Sequence, residues 1–459
     1  MKKLLLILMI VLSLVSLTAC DGGKEEEPVY VEEGATKIVV YAREFEQWAR
    51  EHLEGLANEF NKNLTDGIQV QIKFYTQDAY TDALTVAREN GVTPDLYMTT
   101  YGELYTNIKN GNSTALDSYL SEEAVSDILP TALDLVKYDE SIYAYPWNLE
   151  PGSLLFYRKD MLAAAGVTKV PTTWQELYDA CAKIKPTLNK AQYCLGLPLG
   201  GTECAWVTYG MQQNTTGGLA LDDSWKVSRL DNKGYEEIAK FFYTIYNDDY
   251  APTAGLTSEG YTYIVDALCD SKLAMTFAGS WCAAEIYDYT ECDLSIVEQI
   301  GIAPIPTLTG DQTGTTSANG GWCYCISEQS KNKDKAAVFL NWMFTENAER
   351  TAQYFIKAYN SKAPTSASVK TYLDTHQSSV PSEWATVINS VAEKGIPEPI
   401  YPFDISLEVG KIFERMQIQC KNEGFGTLYQ KAYNEAQANI KTIMGRNTYP
   451  TNPKYTEGK

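Results

Sequence analysis

The sequence predicts an α/β protein whose chain folds into two lobes joined by hinge crossings. Its 459 residues exceed the size at which one hydrophobic core usually stops growing, so at least two lobes are expected. Residues 37–98 alternate strand-like and helix-like patterns in the order β-α-β-α-β, which predicts a doubly wound, mostly parallel sheet flanked by helices. Pro151 and Gly152 interrupt the apolar run 145–157, and we interpret this break as a bend between the lobes.

The first 20 residues have the features of an export signal. Two lysines precede the apolar run 4–17, which is short for a bilayer span, and small residues stand just before Cys20. This pattern resembles a bacterial lipobox, in which cleavage leaves Cys20 as a lipidated N-terminus anchored to the cell membrane on its extracytoplasmic side. A plain signal peptide or an anchor helix is the alternative. Residues 21–36 are acidic and broken by Pro and Gly, which is typical of a flexible tether.

The strands and helices of the first hundred residues follow in a regular order. Buried or alternating apolar patterns predict the strands, and apolar residues at helical spacing predict the helices. We expect a strand at 37–41, a helix at 46–61, a strand at 68–74, a helix at 81–90 and a strand at 94–98.

Two loops in this region are candidate ligand contacts because ligands bind beyond the carboxyl ends of strands in such sheets. Arg43 and Glu44 follow the first strand, and Tyr101 and Glu103 follow the third. A solvated ion pair at the start of a helix explains Arg43 and Glu44 equally well.

The overall charge limits the classes of partner. A formal net charge of −21 argues against nucleic acid and against an anionic bilayer held by a basic face, since both require concentrated Lys and Arg. The same charge disfavours a strongly anionic ligand.

The cysteines and histidines indicate no metal site. Apart from Cys20 there are nine cysteines, an odd number, so at least one thiol is expected to be unpaired. Cys323 and Cys325 lie two apart in a strand-like segment and cannot easily bridge each other. Most cysteines are expected to be small buried residues, with Cys181 and Cys194 as a possible pair. The two histidines lie in unrelated segments, and no cofactor is predicted.

Several segments together resemble one known family. The segments are residues 145–161, the Pro-Thr-Thr-Trp-Gln-Glu-Leu run at 171–177, residues 274–281 with a Gly-x-Trp turn, residues 300–306, 320–327 with the helix 336–344, and Ala-Pro-Thr-Ser at 363–366. Over residues 37–445 they resemble family 1 extracellular solute-binding proteins, the maltose-binding-protein-like group. The joint order of these motifs is more specific than any one of them.

The resemblance implies a periplasmic-binding-protein fold whose two lobes are discontinuous in sequence. It also implies capture of an oligosaccharide by hinge closure and delivery to the permease of an ABC importer. We expect lobe one at 37–151 and 321–375, lobe two at 152–320 and 376–445, and a polar tail at 446–459.

A carbohydrate site needs aromatic rings for the apolar sugar face and polar groups for the hydroxyls. A tryptophan taken at random is more often core than ligand contact, but the resemblance implies a stacking role for Trp281. The segment after Met98 lacks the tryptophan often present there in the family. The predicted ligand contacts are Arg43, Glu44, Tyr101, Glu103, Trp147, Asn148, Glu150, Glu203, Trp206, Trp281, Trp322, Tyr401, Phe403 and Asp404.

Other functions have less support in the sequence. Glu150 and Glu203 could serve as the acid and base of a glycosidase, but nothing supports their spacing, and there is no nucleophile elbow, phosphate loop or metal motif. We therefore predict a non-enzyme that acts as a monomer. A lipoprotein that presents its ligand to a sensor or an adhesion system, or one that binds a non-sugar solute, remains as an alternative.

Overall fold

The computed structural model describes residues 34–44, 47–63, 67–197, 202–252, 264–288, 292–376 and 382–454. The predicted export signal at 1–20 and residues 21–33 of the predicted tether lie outside these ranges. Within them, no helix combines the length and the hydrophobicity needed to cross a membrane.

The strands form three main sheets and a short two-stranded ribbon. In chain order they are β1 (Thr36–Arg43), β2 (Ile68–Tyr75), β3 (Leu96–Thr100), β4 (Lys137–Tyr138), β5 (Ser141–Ile142), β6 (Tyr145–Pro146), β7 (Asn148–Pro151), β8 (Leu154–Arg158), β9 (Tyr193–Gly196), β10 (Leu273–Ala278), β11 (Ile300–Ala303), β12 (Ala318–Gly320), β13 (Trp322–Ile326), β14 (Ala363–Pro364) and β15 (Ile396–Pro397).

Helices cover both lobes, and residues 264–269 are also helical. The bounded helices are α1 (Gln47–Asn63), α2 (Gln77–Glu89), α3 (Tyr101–Lys109), α4 (Glu122–Asp127), α5 (Pro130–Val136), α6 (Lys159–Ala164), α7 (Trp174–Ile184), α8 (Thr202–Thr216), α9 (Lys233–Asn247), α10 (Cys282–Asp288), α11 (Leu294–Val297), α12 (Lys333–Phe344), α13 (Ala348–Lys357), α14 (Ala367–Thr375), α15 (Ser382–Lys394), α16 (Phe403–Gln419) and α17 (Phe425–Met444).

The expected β-α-β-α-β unit is present as β1, α1, β2, α2 and β3. Its three strands pair in parallel in the five-stranded sheet of lobe one, whose order is β2-β1-β3-β13-β6. The sheet of lobe two has the order β11-β8-β10-β9. The predicted two-lobed α/β fold is therefore confirmed.

Each lobe's sheet contains one strand that runs against the others. In lobe one this strand is β13, which pairs antiparallel with β3 and β6, and in lobe two it is β8, which pairs antiparallel with β10 and β11. Both strands enter their lobe directly after a crossing, β8 after β7 and β13 after β12. The reversed strands thus mark where the chain passes between lobes.

The crossings form a small sheet of their own, which we call the hinge sheet, with the order β14-β7-β12-β15. Gly320 of β12 stands opposite Glu150 of β7, and Pro364 of β14 stands opposite Asn148. The predicted bend at Pro151 and Gly152 lies where β7 ends and the chain turns into β8. The interpretation of this segment as a crossing is confirmed.

Local capping explains how helix α7 begins. The side chain of Thr173 accepts a hydrogen bond from the backbone N–H of Glu176, and the Glu176 carboxylate accepts from the backbone N–H of Thr173. The two bonds form a capping box with Thr173 as the capping residue. It fixes the start of α7, the second helix after the crossing into lobe two.

The buried hydrophobic residues divide into separate clusters. One cluster draws on segments between Ile38 and Leu149 and between Trp322 and Val369, with Ala392 added. Two further clusters draw on residues 154–305 and on helices α15, α16 and α17. The residue boundaries given above for the lobes stay a prediction.

The expected cysteine pair is wrong. Cys269 and Cys292 form the disulfide, with their Cα atoms 5.1 Å apart, whereas Cys181 and Cys194 are free and buried. The Cys194 thiol donates instead to the backbone carbonyl of Cys181 at 3.4 Å. These two cysteines therefore act as small packing residues between α7 and β9.

Candidate functional site

A cavity of about 420 Å³ lies between the two lobes, a size within the range typical of ligand sites. Lobe one contributes the start of α3 and the region of α5 and β4, while lobe two contributes the segment after α8 and the segment after β15. The lining residues are Tyr101, Asp134, Leu135, Tyr138, Gln213, Gly217, Gly218, Leu219, Leu221, Asp222, Asp223, Trp225, Arg229, Ile396, Pro397, Glu398, Pro399, Ile400, Tyr401, Asn452 and Lys454.

Tyr101 stands where β3 passes into α3, and it is one of the predicted residues that line the cavity. Its hydroxyl donates to the backbone carbonyl of Asn148 in the hinge sheet at 2.8 Å, and only 1% of the residue is exposed. Tyr101 therefore joins the cavity wall to a crossing strand.

Glu398 is a cavity residue that the sequence reasoning missed. Its carboxyl group lies against Gly102, where an added Cβ would come within 2.9 Å of the Glu398 Cδ atom. The Oε2 atom of Glu398 is buried with no hydrogen-bond partner in the described chain. The Pro-Glu-Pro context of residues 397–399 was the available signal, because a proline-flanked residue cannot lie inside a helix.

Burial and a neighbouring carboxylate change how Glu398 ionises. Burial, followed by the charge of Glu103, raises the pKa of Glu398 to about 8. The group therefore holds its proton at neutral pH and can both donate and accept a hydrogen bond. Such a group suits a ligand hydroxyl, which has the same dual capacity.

Other charges along the cavity are already engaged. Arg229 lies 4.0 Å from Asp223, and Lys454 lies 3.6 Å from Asp134. The Asp222 carboxylate accepts from the backbone N–H groups of Lys226 and Val227, which fixes a turn. Among the described carboxylates of the cavity, Asp134 and Asp223 lie within 4.0 Å of a cation and Asp222 is held by backbone N–H groups, whereas the neighbouring charge that acts on Glu398 is the carboxylate of Glu103.

Trp206 and Trp281 lie together beside the hinge sheet. Both are partly buried, and their ring centroids are 6.4 Å apart at an interplanar angle of 88°. An added Cβ at Gly152 or Gly320 would come within 2.4 or 2.2 Å of the Trp206 ring. Glycine at these two crossing positions therefore makes room for the indole.

Trp147 and Asn148 are placed differently from the prediction. Trp147 is 3% exposed and packs in the core of lobe one, 4.1 Å from the Tyr354 ring by centroids. Asn148 is fully buried, and its side chain accepts from the Trp322 backbone N–H and donates to the Tyr354 hydroxyl, both at 3.2 Å. The expectation that they face the cleft is corrected: they fix the hinge to lobe one.

Glu150 is held in a buried ion pair and does not line the cavity. Its carboxylate forms an ion pair with Lys362 at 2.5 Å, and the two side chains are 10% and 3% exposed. Glu150 lies on β7 and Lys362 immediately precedes β14, so the pair joins two neighbouring strands of the hinge sheet. This placement likewise corrects the expected one.

Arg43, Glu44 and Trp322 lie at the end of β1 and the start of β13. The Arg43 guanidinium lies 4.5 Å from the centroid of the Trp322 ring, and Trp322 is 8% exposed. Glu44 pairs with Arg50 at 3.0 Å, a partner that was not expected from the sequence. Glu103 is exposed on α3, and its carboxylate accepts from the Thr99 hydroxyl at 3.3 Å.

The late candidates divide between the cavity and the surface. Tyr401 lines the cavity and packs edge-on against Trp225 at 6.1 Å. Phe403 is 38% exposed, and Asp404 pairs with Arg446 at 3.3 Å, but neither lines the cavity. The side chain of Glu203 lies outside the described residues. Trp225 and Arg229 are cavity residues that no sequence pattern singled out.

Two α/β lobes with a cavity between them, joined by a sheet of crossing strands, define the class of two-lobed solute-binding folds. The chain belongs to the family of bacterial extracellular solute-binding proteins, whose profile matches residues 49–350, more than half of the chain. The resemblance inferred from the sequence is therefore confirmed. The family consists of binding proteins, and its description places them outside the cell.

Individual relatives are distant in sequence. The chain is 22% identical to a maltotriose-binding protein of Pyrococcus abyssi over 69% of this chain and 64% of that protein. It is 25% identical to a putative binding protein of Brucella abortus over 61% of this chain and 66% of that protein. The matches thus span just under two thirds of the length of these relatives.

Solved structures share the fold along nearly their whole length. The sugar-binding protein MalE of Xanthomonas citri is 20% identical, with a TM-score of 0.70 over 89% of this chain and 98% of that chain. A substrate-binding protein of Listeria monocytogenes, solved in complex with cycloalternan, is 19% identical, with a TM-score of 0.71 over 90% of this chain and 99% of that chain. At this identity the likeness establishes the fold.

Proposed function

We propose that the protein is an extracytoplasmic lipoprotein that captures an oligosaccharide between its lobes and delivers it to the permease of an ABC importer. Two features beside the hinge sheet support this proposal: the Trp206–Trp281 pair, which does not line the cavity, and the cavity itself, which contains the protonated carboxyl of Glu398. One relative named for binding maltotriose and a structural neighbour named for binding sugar support the same ligand class.

The aromatic pair supplies the apolar half of sugar recognition. A pyranose ring has an apolar C–H face that packs on an indole, and aromatic packing contributes about 0.5–1.5 kcal/mol beyond the area buried. Trp206 is held against Gly152 and Gly320, so its orientation follows the hinge sheet. Movement of the crossings would therefore move this ring.

The cavity supplies the polar half. The neutral carboxyl of Glu398 and the hydroxyl of Tyr401 can donate and accept hydrogen bonds with ligand hydroxyls, whereas Arg229 can donate, and a bond to this charged group contributes about 1.5–3 kcal/mol. Selectivity among sugars would come from these groups, because a buried polar group without its partner carries a large penalty.

Closure follows from the position of the cavity. A ligand that contacts Tyr101 and Tyr138 of lobe one and Trp225 and Arg229 of lobe two gains both sets of contacts only when the lobes approach each other. Such differential contacts shift a two-state equilibrium toward the closed form. The closed form would then be recognised by the permease, with the protein acting as a monomer.

Calorimetry with a glycan panel tests the ligand class. The panel contains maltooligosaccharides, xylooligosaccharides, β-mannan oligosaccharides and host-glycan oligosaccharides. We expect at least one series to bind the wild-type protein, raise its melting temperature by mass action and shrink the particle in small-angle scattering. Absence of all three responses across the panel would reject a carbohydrate ligand.

Substitution of the aromatic pair tests the site. Trp206→Ala and Trp281→Ala should each weaken binding of the panel's best ligand about tenfold, since each removes one packed ring. Trp48→Ala is the matched control, because Trp48 is also partly buried but lies on helix α1. Equal affinity in the wild type and the two site variants would remove this pair from the site.

The anchor is tested separately from binding. Cys20→Ala should release the protein from the membrane fraction of the cells that produce it, and the wild-type N-terminal peptide should carry a lipid mass. Unchanged membrane attachment of the variant would contradict lipidation at Cys20.

A further inference from the structure

The segment that follows α17 passes from lobe two toward lobe one. We call this segment, residues 445–454, the strap. It leaves lobe two after α17, whose apolar face lies in the core of that lobe, and Tyr449 packs against the same core. Farther along, the Asn452 side-chain amide donates to the backbone carbonyl of Asp223 at 2.6 Å. The first part of the strap is thus attached to lobe two.

The end of the strap contacts lobe one. The Lys454 ammonium donates to the backbone carbonyl of Asp134 and lies 3.6 Å from a carboxylate oxygen of the same residue. It also lies 4.8 Å from the centroid of the Tyr138 ring. Burial lowers the pKa of Lys454, which accords with an ammonium held between the lobes rather than in open solvent.

Two neighbouring contacts hold the strap in shape. The backbone N–H of Lys454 donates to the side-chain oxygen of Asn452 at 2.9 Å, which orders the chain between these two residues. Asn452 therefore binds lobe two through its amide nitrogen and the strap itself through its amide oxygen. The position of the Lys454 ammonium over Tyr138 is fixed from lobe two.

The strap is also part of the cavity wall. Asn452 and Lys454 both line the cavity, together with their partners Asp134, Tyr138 and Asp223. This connection between the lobes is separate from the hinge sheet, whose strands end at Pro397. A ligand that extended past Tyr138 or Asp223 would meet the strap.

We propose that the strap closes one end of the cavity, and so limits the length of the ligand bound there, while fastening lobe two to lobe one outside the hinge. The length limit rests on the proposed function, because it assumes an oligosaccharide ligand. The fastening does not depend on any ligand.

The fastening is tested in the ligand-free full-length protein. Spin labels are placed at Glu89→Cys in lobe one and Lys190→Cys in lobe two, both exposed positions, and the distance distribution between them is measured. In this background, Asn452→Ala with Lys454→Ala should reduce the population at the wild-type distance about threefold to tenfold, as expected for losing a hydrogen bond and a partly screened ion pair.

The control removes a comparable contact within one lobe. Lys421→Ala breaks the 2.7 Å ion pair between Lys421 and Asp249, both in lobe two, and should leave the distance distribution unchanged. Melting temperatures of all variants check that they fold. A wild-type distribution in the double strap variant would overturn the fastening.

The length limit is tested with two sugar series. Dissociation constants for maltooligosaccharides and xylooligosaccharides of two to seven units are compared between the wild type and the double strap variant. We expect the variant to gain at least about threefold in affinity for the longer members relative to the shorter ones. An unchanged length profile would overturn the limit. If neither series binds the wild type, the length limit is overturned for both, while the rest of the glycan panel decides the proposed ligand class and the distance measurement decides the fastening.

Discussion

Two glutamates beside the hinge sheet have opposite electrostatic surroundings. Glu150 on β7 is buried with Lys362 at 2.5 Å, so its charge is compensated within the protein. Glu398, which follows β15, lies close to Glu103, and its Oε2 atom has no hydrogen-bond partner in the described part of the chain. The same side chain therefore serves structure in one place and remains available to a ligand in the other.

The difference shows how an ion pair can hold the hinge sheet together while a carboxyl group in the adjacent cavity stays free to hydrogen-bond a ligand. A buried ion pair is tolerated only while both partners are present, so it ties β7 to the segment before β14. A protonated carboxyl needs no cation, and it keeps hydrogen-bonding capacity for whatever enters the cavity. The position of a glutamate in the sequence, next to a hinge strand, does not tell whether it forms a structural ion pair or faces a ligand.

Removal of Lys362 should produce the largest effect. Lys362→Ala leaves the Glu150 charge buried without its partner, and we expect a loss of about 3–5 kcal/mol in the free energy of unfolding, measured by chemical denaturation. The double variant Glu150→Gln with Lys362→Met should lose much less, because neither charge remains. A single-variant loss below about 1 kcal/mol would show that the pair is not a structural tie.

Substitution of Glu398 should have a smaller effect of the opposite sign. Between pH 4.5 and 8 the folded protein keeps a proton on Glu398 that the unfolded chain has released, so this group's contribution to stability is lost as pH rises toward 8. Because each unit of raised pKa corresponds to about 1.4 kcal/mol, Glu398→Gln should gain up to about 4 kcal/mol at pH 8 and almost nothing at pH 4.5. Parallel stability–pH curves for the wild type and the variant would contradict the raised pKa.

Substitution of Glu103 should have the smallest effect. Its charge is the second cause of the raised pKa of Glu398, after burial. Glu103→Gln should lower the midpoint pH of the stability loss by a fraction of a unit, since burial still raises the pKa of Glu398. Glu44→Gln, on the end of β1, is the matched control and should leave the midpoint in place.

Local patterns were sufficient for much of the fold. The alternation in residues 37–98 and the break at Pro151 and Gly152 are visible in short windows, and both agree with the structure. The capping box at Thr173 is likewise a local signal. These features depend on residues close to one another in sequence.

The site was less predictable because its contacts join distant segments. Glu150 and Lys362 are 212 residues apart, and Glu398 reaches Gly102 from the other end of the chain. An aromatic residue beside a hinge can face either a core or a cleft, and Trp147 faces the core. Likewise the disulfide joins Cys269 and Cys292, a pair that spacing alone did not identify.

The hinge sheet also has a consequence for how the chain is made. Its four strands come from residues 148–151, 318–320, 363–364 and 396–397, and the two middle strands of the sheet, β7 and β12, lie more than 160 residues apart. An exported chain emerges in sequence order. The sheet of lobe one therefore cannot be completed until β13 has emerged, and the hinge sheet cannot be completed until β15 has emerged. Most of the polypeptide must therefore have crossed the membrane before either half can reach its final form.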